Sequence, residues 1–422
     1  MSAGPRTHVW RLALPVAVVL AMGAGLVPTS AYADATAGST VAEAQVNNRI
    51  SKRLHNGAIG PDLALVVMDA QSQRIVASRD ADRPMLPASN MKLVTAVNVL
   101  STMGAPARFT TTVFAGSTPG SIVLKGGGDP LLTKASLRAL AQATAAAVDP
   151  AAPVIVDTDV SLFPRESNGP GWTRGYVPSV VSPVSALALL GDYSTRPAQH
   201  AADAFVAALR TAGIQASRGR PVTVADGQAA LASIDPHTVA DAVHLMLLDS
   251  ENNVAEILFR HVALAAGAPP TWQGASAAAT ANLAALGIST TGIRVADGSG
   301  VSRSDSLTAL TLASLLRLAS VGDPARYAAI FDPGSLPTAG VDGTLRARLH
   351  RFTSGPSACA RGAIRAKTGT LHDTIALSGT AQDASGQLKV FAFLVNDRPT
   401  RVSPLRTRQA IDGLASTITG CW

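Results

Sequence analysis

The sequence predicts an α/β fold in which one domain holds both ends of the chain and a smaller domain is looped out of its middle. Three observations predict it. Strand-like segments lie near both ends, at "DLALVVMDAQSQRIVASRD" (62–80) and "LKVFAFLVN" (388–396). Helical apolar spacing dominates 89–103 and 235–320. Between 109 and 232 the texture changes to short strands, such as "SIVLKGGG" and "PVIVDTD", joined by Gly- and Pro-rich connections. The boundaries expected are therefore 1–33 for an export signal, 34–108 plus 233–422 for the main domain, and 109–232 for the insert.

At 422 residues the chain is longer than one compact core usually holds. Its 47% apolar content allows a large core and argues against disorder. Aromatics are only 4% and alanine is abundant, so helix-rich packing is expected.

Element by element, the chain reads as follows. Arg6 and Arg11 precede the apolar stretch "LALPVAVVLAMGAGLV", and "AYA" (31–33) offers small residues for cleavage, the pattern of an export signal. Its removal takes away two arginines and no acid, lowering the formal charge from +7 to +5. No later stretch is long and apolar enough to span a membrane. Residues 34–58 suit an amphipathic helix, and 62–80 a hairpin turning at "AQSQ". Pro84 and Pro87 end that hairpin. From Ser89 to Met103 apolar residues recur at 91, 94, 97 and 100, so a helix begins at or just before Ser89. After the insert come helices at "PHTVADAVHLMLLDS" and "NNVAEILFRHVALAAG", with Ser250 at their joint, then helices near 274–287 and 306–320. "GAIRAKTGTLHDTIALSG" and "LKVFAFLVN" pair as strands around "DASGQ", and a helix closes the chain at 404–418.

Composition also excludes functions. Of 35 basic residues only six are lysine, and no aromatic-laced basic run occurs, so nucleic-acid binding is not expected. A mildly positive surface instead suits an anionic matrix such as carboxylate-bearing cell wall. No HExxH or CxxC is present and the eight histidines are scattered, so neither a metal nor another cofactor is expected. "KGGGDP" lacks the lysine and helix of a phosphate loop and reads as a tight turn. In an exported chain the two cysteines, Cys359 and Cys421, are expected to be bonded to each other.

Chemistry concentrates at three places. In "PASNMKLVTA", Ser89 and Lys92 are spaced i, i+3, which puts both side chains on one helix face. A neutral lysine amine there takes the serine's proton, and the helix start favours the negative oxygen that results. Lys92 is the one lysine of the six with serine three residues before it. "SENN" sets Ser250 and Asn252 between two helices. There a hydroxyl relays a proton and an amide holds a carbonyl, although a helix cap has the same composition. "AKTGTL" puts Lys367, Thr368 and Gly369 on a strand. The lysine and threonine would hold a carboxylate in a cleft, the glycine would admit substrate backbone, and a second ammonium beside Lys92 would lower its pKa.

Ser-x-x-Lys, Ser-x-Asn and Lys-Thr-Gly in this order form the signature of penicillin-recognising serine enzymes. With "SNMKLVTA", "GGGDP", "SENNVAE", "DGSGVSR", "VDGTLRAR" and "AKTGTLHDTIALSG", nearly the whole mature chain resembles the D-Ala-D-Ala carboxypeptidase/endopeptidase family, the class C (type-4) penicillin-binding proteins. The resemblance implies an antiparallel sheet flanked by helices, a helical lobe and an inserted domain. It implies that Ser89 is acylated by peptidoglycan stem peptides and by β-lactams, with Lys92 as base. Ser250 and Asn252 would serve proton transfer and binding, and Lys367 and Thr368 the terminal carboxylate. The N–H groups of Ser89 and Thr370 would form the oxyanion hole. Arg303 would bind the free end of the stem peptide, with Leu371 at an apolar position of the pocket, whereas Asp297 reads as a turn former.

The chain departs from its relatives in two respects. After "GW" it has Arg174 and Gly175 where an acid often stands, and a nested third domain is reduced or absent. A β-lactamase or esterase of the same fold and a non-catalytic wall-binding relative are the alternative functions. Neither oligomeric state nor the third stem residue is legible in the sequence.

Overall fold

A computed structural model describes residues 41–165, 168–225 and 227–421; the expected export signal lies outside them. Helix α1 (Val41–Arg53) buries Val46 and Ile50, one turn apart, and with them Glu43. The hairpin follows as β1 (Leu63–Asp69) and β2 (Ile75–Arg79). Proline 87 closes the extended chain, a 3-10 turn holds Ala88–Asn90, and α2 (Met91–Thr102) begins at once. Next come β3 (Thr111–Ala115), β4 (Ser121–Lys125), α3 (Lys134–Ala145), β5 (Val154–Asp159), α4 (Pro197–Thr211), β6 (Ala216–Pro221) and β7 (Ala230–Ile234). Four helices succeed them: α5 (Val239–Leu248), α6 (Asn252–Ala265), α7 (Trp272–Ala285) and α8 (Ala309–Arg317). The single turn α9 (Ala328–Phe331) leads to β8 (Ile364–Thr370), β9 (Ile375–Gln382), β10 (Leu388–Val395) and the closing helix α10 (Pro404–Ile418).

The two chain ends meet in one antiparallel sheet of order β2-β1-β10-β9-β8. Leu63 faces Val395, and Lys367 faces Ser378. Every residue of β1 is buried, so the sheet is covered on both faces. Because side chains alternate, Leu65, Val67, Phe391 and Phe393 pack with Ile411 and Leu414 of α10 and Val46 of α1. Their neighbours Ala64, Val66, Val390 and Ala392 pack against α2, α5, α6, α7 and α8 on the other side. Each fully buried Val, Leu or Phe contributes about 1.5–3 kcal/mol, and this double layer holds β8 at the sheet edge. Lys389 ties α1 to the sheet, with Glu43 at 2.9 Å, Asp69 at 2.5 Å and Asp383 at 3.1 Å.

A second sheet, of order β6-β5-β4-β3-β7, is built wholly from residues 111–234. Its β4–β5 and β5–β6 pairs are parallel. Parallel neighbours require a long crossover, and α3 and α4 lie within those two connections. Both helices bury Leu137, Leu140, Phe205 and Leu209 against Val113, Leu124 and Val156 of the sheet.

The helices expected near 274 and 306 begin at Trp272 and Ala309, because Thr271 and Thr308 cap them through hydroxyls that accept from Gly274 N and Thr311 N. Cys359 and Cys421 are joined, with Cα atoms 6.0 Å apart, fastening the chain beyond α10 to the turn Gly355–Ala360. Among the described residues no helix is long and apolar enough to cross a membrane, and no group of three His, Cys, Asp or Glu is placed to hold a metal.

Candidate active site

Ser89 sits in the 3-10 turn ahead of α2, and the residue before it adopts a left-handed conformation, Ala88 having φ +47°. Such a conformation is costly for a residue with a Cβ. It is held by the loop opposite. Gly300, φ +81°, passes so close that a Cβ there would lie 1.9 Å from the Ala88 carbonyl oxygen.

Lys92 is fully buried one turn into the same unit. Its Nζ lies 3.2 Å from Ser89 Oγ, 2.7 Å from Asn252 Oδ1 and 2.8 Å from the Ser299 carbonyl oxygen. Burial lowers its pKa to about 8, against the pull of Glu256 and then Asp297, whose charges favour the ammonium. The Ser299 carbonyl is held from behind. Glu256, one turn along α6 from Asn252, accepts the N–H of Ser299 at 2.8 Å and of Gly298 at 3.1 Å. Thr95 donates to the Gly298 carbonyl at 2.7 Å. Burial, and then the charge of Asp297, pushes the Glu256 carboxyl up to about 8. Asp297 acts as the turn former expected, accepting from Gly300 N at 2.7 Å and Ser302 N at 2.8 Å, and it also receives the Trp172 indole at 2.8 Å.

Ser250 occupies the joint between α5 and α6 with φ +63°, and Asn252 opens α6. The Asn252 amide bridges the site, its oxygen on Lys92 and its nitrogen donating to the Val180 carbonyl at 2.8 Å. Asn253 receives Ser182 N at 2.8 Å, and Tyr193 donates to Glu251 at 2.8 Å.

Edge strand β8 supplies the third wall. Ile364 and Ala366 pack on the α10 side. Alternation therefore puts Lys367 and Gly369 on the side of Lys92, and Thr368 and Thr370 on the other. Lysine 367 and Thr368 therefore leave the strand from opposite faces. The Thr368 hydroxyl bonds Thr344 at 2.8 Å, while Thr370 Oγ1 accepts from Arg408 at 3.3 Å. Gly369 is also needed within the fold itself. A Cβ there would meet Pro87 O and Asn90 Nδ2, both at 2.8 Å, so its smoothness admits the Ser89 turn. Burial, and then the charge of Lys92, pushes the pKa of Lys367 well down. The repulsion between the two amines thus bears on Lys367, while burial is what lowers Lys92. Along β8, Leu371 N donates inward to Thr374 O and Ala366 N outward to Pro337 O, each at 2.9 Å. By the same alternation the Thr370 N–H points out from the sheet edge, the direction an oxyanion donor needs.

Arg303 follows the Gly300 turn, as expected, but its fork is engaged. Nη1 and Nη2 grip Asp373 Oδ1 and Oδ2 at 2.6 and 2.7 Å. Leu371 starts the β8–β9 connection that carries Asp373. Sequence reasoning missed Glu256, Ser299, Asp373 and Thr344. Glu256 had a signal, a lone acid in the apolar run "VAEILF" four residues after Asn252; Asp373 had none.

A serine with a buried, low-pKa lysine across one turn, on an antiparallel sheet with a helical lobe, is the arrangement of the penicillin-recognising serine enzymes. The chain belongs to one branch of them, the D-Ala-D-Ala carboxypeptidase 3 (S13) family, whose model matches residues 46–195 and 174–418. It is 32% identical over 391 residues to the carboxypeptidase DacB of Mycolicibacterium smegmatis, covering 86% of this chain and 82% of that protein. A carboxypeptidase of Mycobacterium tuberculosis is 30% identical over 428 residues, covering 94% and 87%. In fold, the chain is similar to penicillin-binding protein 4 of Haemophilus influenzae, with a TM-score of 0.74 at 20% identity, covering 87% of this chain and 97% of that one.

Proposed function

We propose that this serine carboxypeptidase is exported and acts outside the cytoplasm on peptidoglycan stem peptides, removing terminal D-Ala through an acyl-enzyme at Ser89, and that β-lactams acylate the same serine. The observation that carries the reading is the buried Lys92 amine, 3.2 Å from Ser89 Oγ with a pKa near 8. At neutral pH a usable share of it is the free base.

In the forward step neutral Lys92 takes the Ser89 proton, and Oγ bonds to the carbonyl carbon of the penultimate residue. The developing oxyanion meets the outward N–H of Thr370 and that of Ser89. The C–N bond breaks, and the proton passes through the Lys92–Ser250 side to the leaving amine. Water, deprotonated by the same lysine, then hydrolyses the ester and restores Ser89. Asn252 orients Lys92, and Lys367 meets the terminal carboxylate, whose charge favours the ammonium that burial and Lys92 disfavour. The structure of the Haemophilus protein with a bound β-lactam supports the inhibitor reading by analogy of fold. We take residues 109–232 as an inserted domain, supported by the self-contained sheet of β3 to β7, whose last strand carries the domain two residues further, to Ile234.

The test is labelling by a fluorescent penicillin, with mass analysis of products from a D-Ala-D-Ala stem peptide. Covalent label and released D-Ala are expected, both lost in Ser89→Ala. Label persisting in that variant would overturn the nucleophile. Digestion of cross-linked wall in parallel reports cleavage of cross-links.

A further inference from the structure

A large cavity of about 930 Å³ lies away from Ser89, between the β5–β6 side of the second sheet and the start of α4. Three arginines line it, Arg165, Arg196 and Arg218, together with Phe163, Pro183 and Ser185. Among the described residues no aspartate or glutamate lines it. Arg218 is braced from outside the cavity by Asp203, at 2.6 and 2.8 Å.

The cavity is joined to the active site by chain. Val180 accepts from the Asn252 amide, Ser182 N is held by Asn253, and Pro183–Ser185 form the cavity wall. Three extended residues span at most about 11 Å. Ser185 of the cavity wall therefore lies within about 11 Å of Ser182, the residue that Asn253 holds. Arg218 has its counter-charge in Asp203, whereas Arg165 and Arg196 face the same space with no ion pair among the described residues, and an anionic ligand relieves the repulsion between them. Planar guanidinium forks suit carboxylates.

We propose that this cleft is a second binding site for peptidoglycan, holding the carboxylates of a stem peptide neighbouring the one being cleaved. The proposal rests on the function proposed above for Ser89 and adds to it a preference for polymer over short peptide. Wall polymer is favoured over other anions because the segment that bonds Asn252 and Asn253 continues as the cleft wall, so a substrate long enough to follow it reaches both.

The test uses the whole mature protein and the double variant Arg165→Gln/Arg196→Gln, with Thr223→Glu as a second variant that sets a carboxylate in the cleft wall. Binding to purified insoluble peptidoglycan is measured by co-sedimentation, against penicillin labelling and hydrolysis of a short soluble stem peptide. Both variants are expected to bind wall about tenfold more weakly, with less salt dependence, while labelling and short-peptide hydrolysis stay unchanged. Wall binding equal to the parent's would overturn the proposal. Equal displacement by polyphosphate and by peptidoglycan fragments would overturn its carboxylate assignment. A parent that binds wall through these arginines but is never acylated would leave the cleft standing and sink the reading of Ser89 instead.

Discussion

The Glu256 carboxylate receives the N–H of Ser299 at 2.8 Å, and the carbonyl of that serine receives Lys92 Nζ at the same distance. One buried acid thus positions the backbone that positions the base, and its charge opposes the loss of the lysine's proton. Free amine accumulates as pH rises through the Lys92 pKa, so acylation climbs with pH around 8. Glu256→Gln removes that carboxylate charge, which develops over the same pH range because the carboxyl is itself raised to about 8. The rising limb of penicillin acylation should therefore move to lower pH. An amide also presents a donor where two N–H groups need acceptors, so stability should fall by about 1–3 kcal/mol. A pH–rate profile of labelling checks the first effect, and urea unfolding the second.

Lys367→Ala should slow acylation by carboxylate-bearing β-lactams or peptides about ten- to a hundredfold, the worth of one charge-assisted hydrogen bond. Esters of the same compounds should lose far less. Because burial lowers the pKa of Lys367 and an arriving carboxylate raises it, binding of such a ligand should take up protons rather than release them. Calorimetry in buffers of different ionisation heat measures that uptake.

Asp373 holds both terminal nitrogens of Arg303, so a substrate carboxylate competes with it. Arg303→Ala should lower kcat/KM for a full stem peptide by about 1.5–3 kcal/mol and leave penicillin acylation nearly unchanged. Asp373→Asn should do the reverse for the peptide, raising kcat/KM by freeing the fork. Equal losses for peptide and penicillin in Arg303→Ala would make the pair a support of the cleft.

Gly300→Ala should cut penicillin acylation more than tenfold, since its Cβ strikes the carbonyl of the residue before Ser89. Gly362→Ala is the control. Its φ, +80°, is nearly the same, but nothing lies within 4 Å of its Cβ position. It carries the backbone strain without the collision, so it should lower thermal stability and leave acylation intact.

Reducing the Cys359–Cys421 bond, whose sequence separation is 62, should lower stability by up to about 4 kcal/mol in the chain-entropy model. Thermal unfolding with and without reductant measures it, and Cys421→Ser should match the reduced protein.

The order and kind of elements around the site were legible because they are local. The apolar period of α2 lies within a dozen residues, α10 runs over the expected 404–418, and Ser89 and Lys92 share a face by helix geometry alone. Even the joint at Ser250 is written in the break between two periodic runs. The contacts that make Lys92 a base are not local. Asn252 is 160 residues away and Ser299 is 207, and no spacing rule connects them. Nor does sequence order assign the faces of an edge strand to partners: Lys367 lies on the side of Lys92, while the Thr368 hydroxyl bonds Thr344. Asp373 illustrates the same limit, for an exposed-looking acid in a short turn shows nothing of an arginine 70 residues before it. Residue types and short periods decide which groups are present and which way a helix turns them. Burial and long-range packing decide what each group touches, and therefore its charge: a lysine that would hold its proton in water loses it near pH 8 because the fold removes that water.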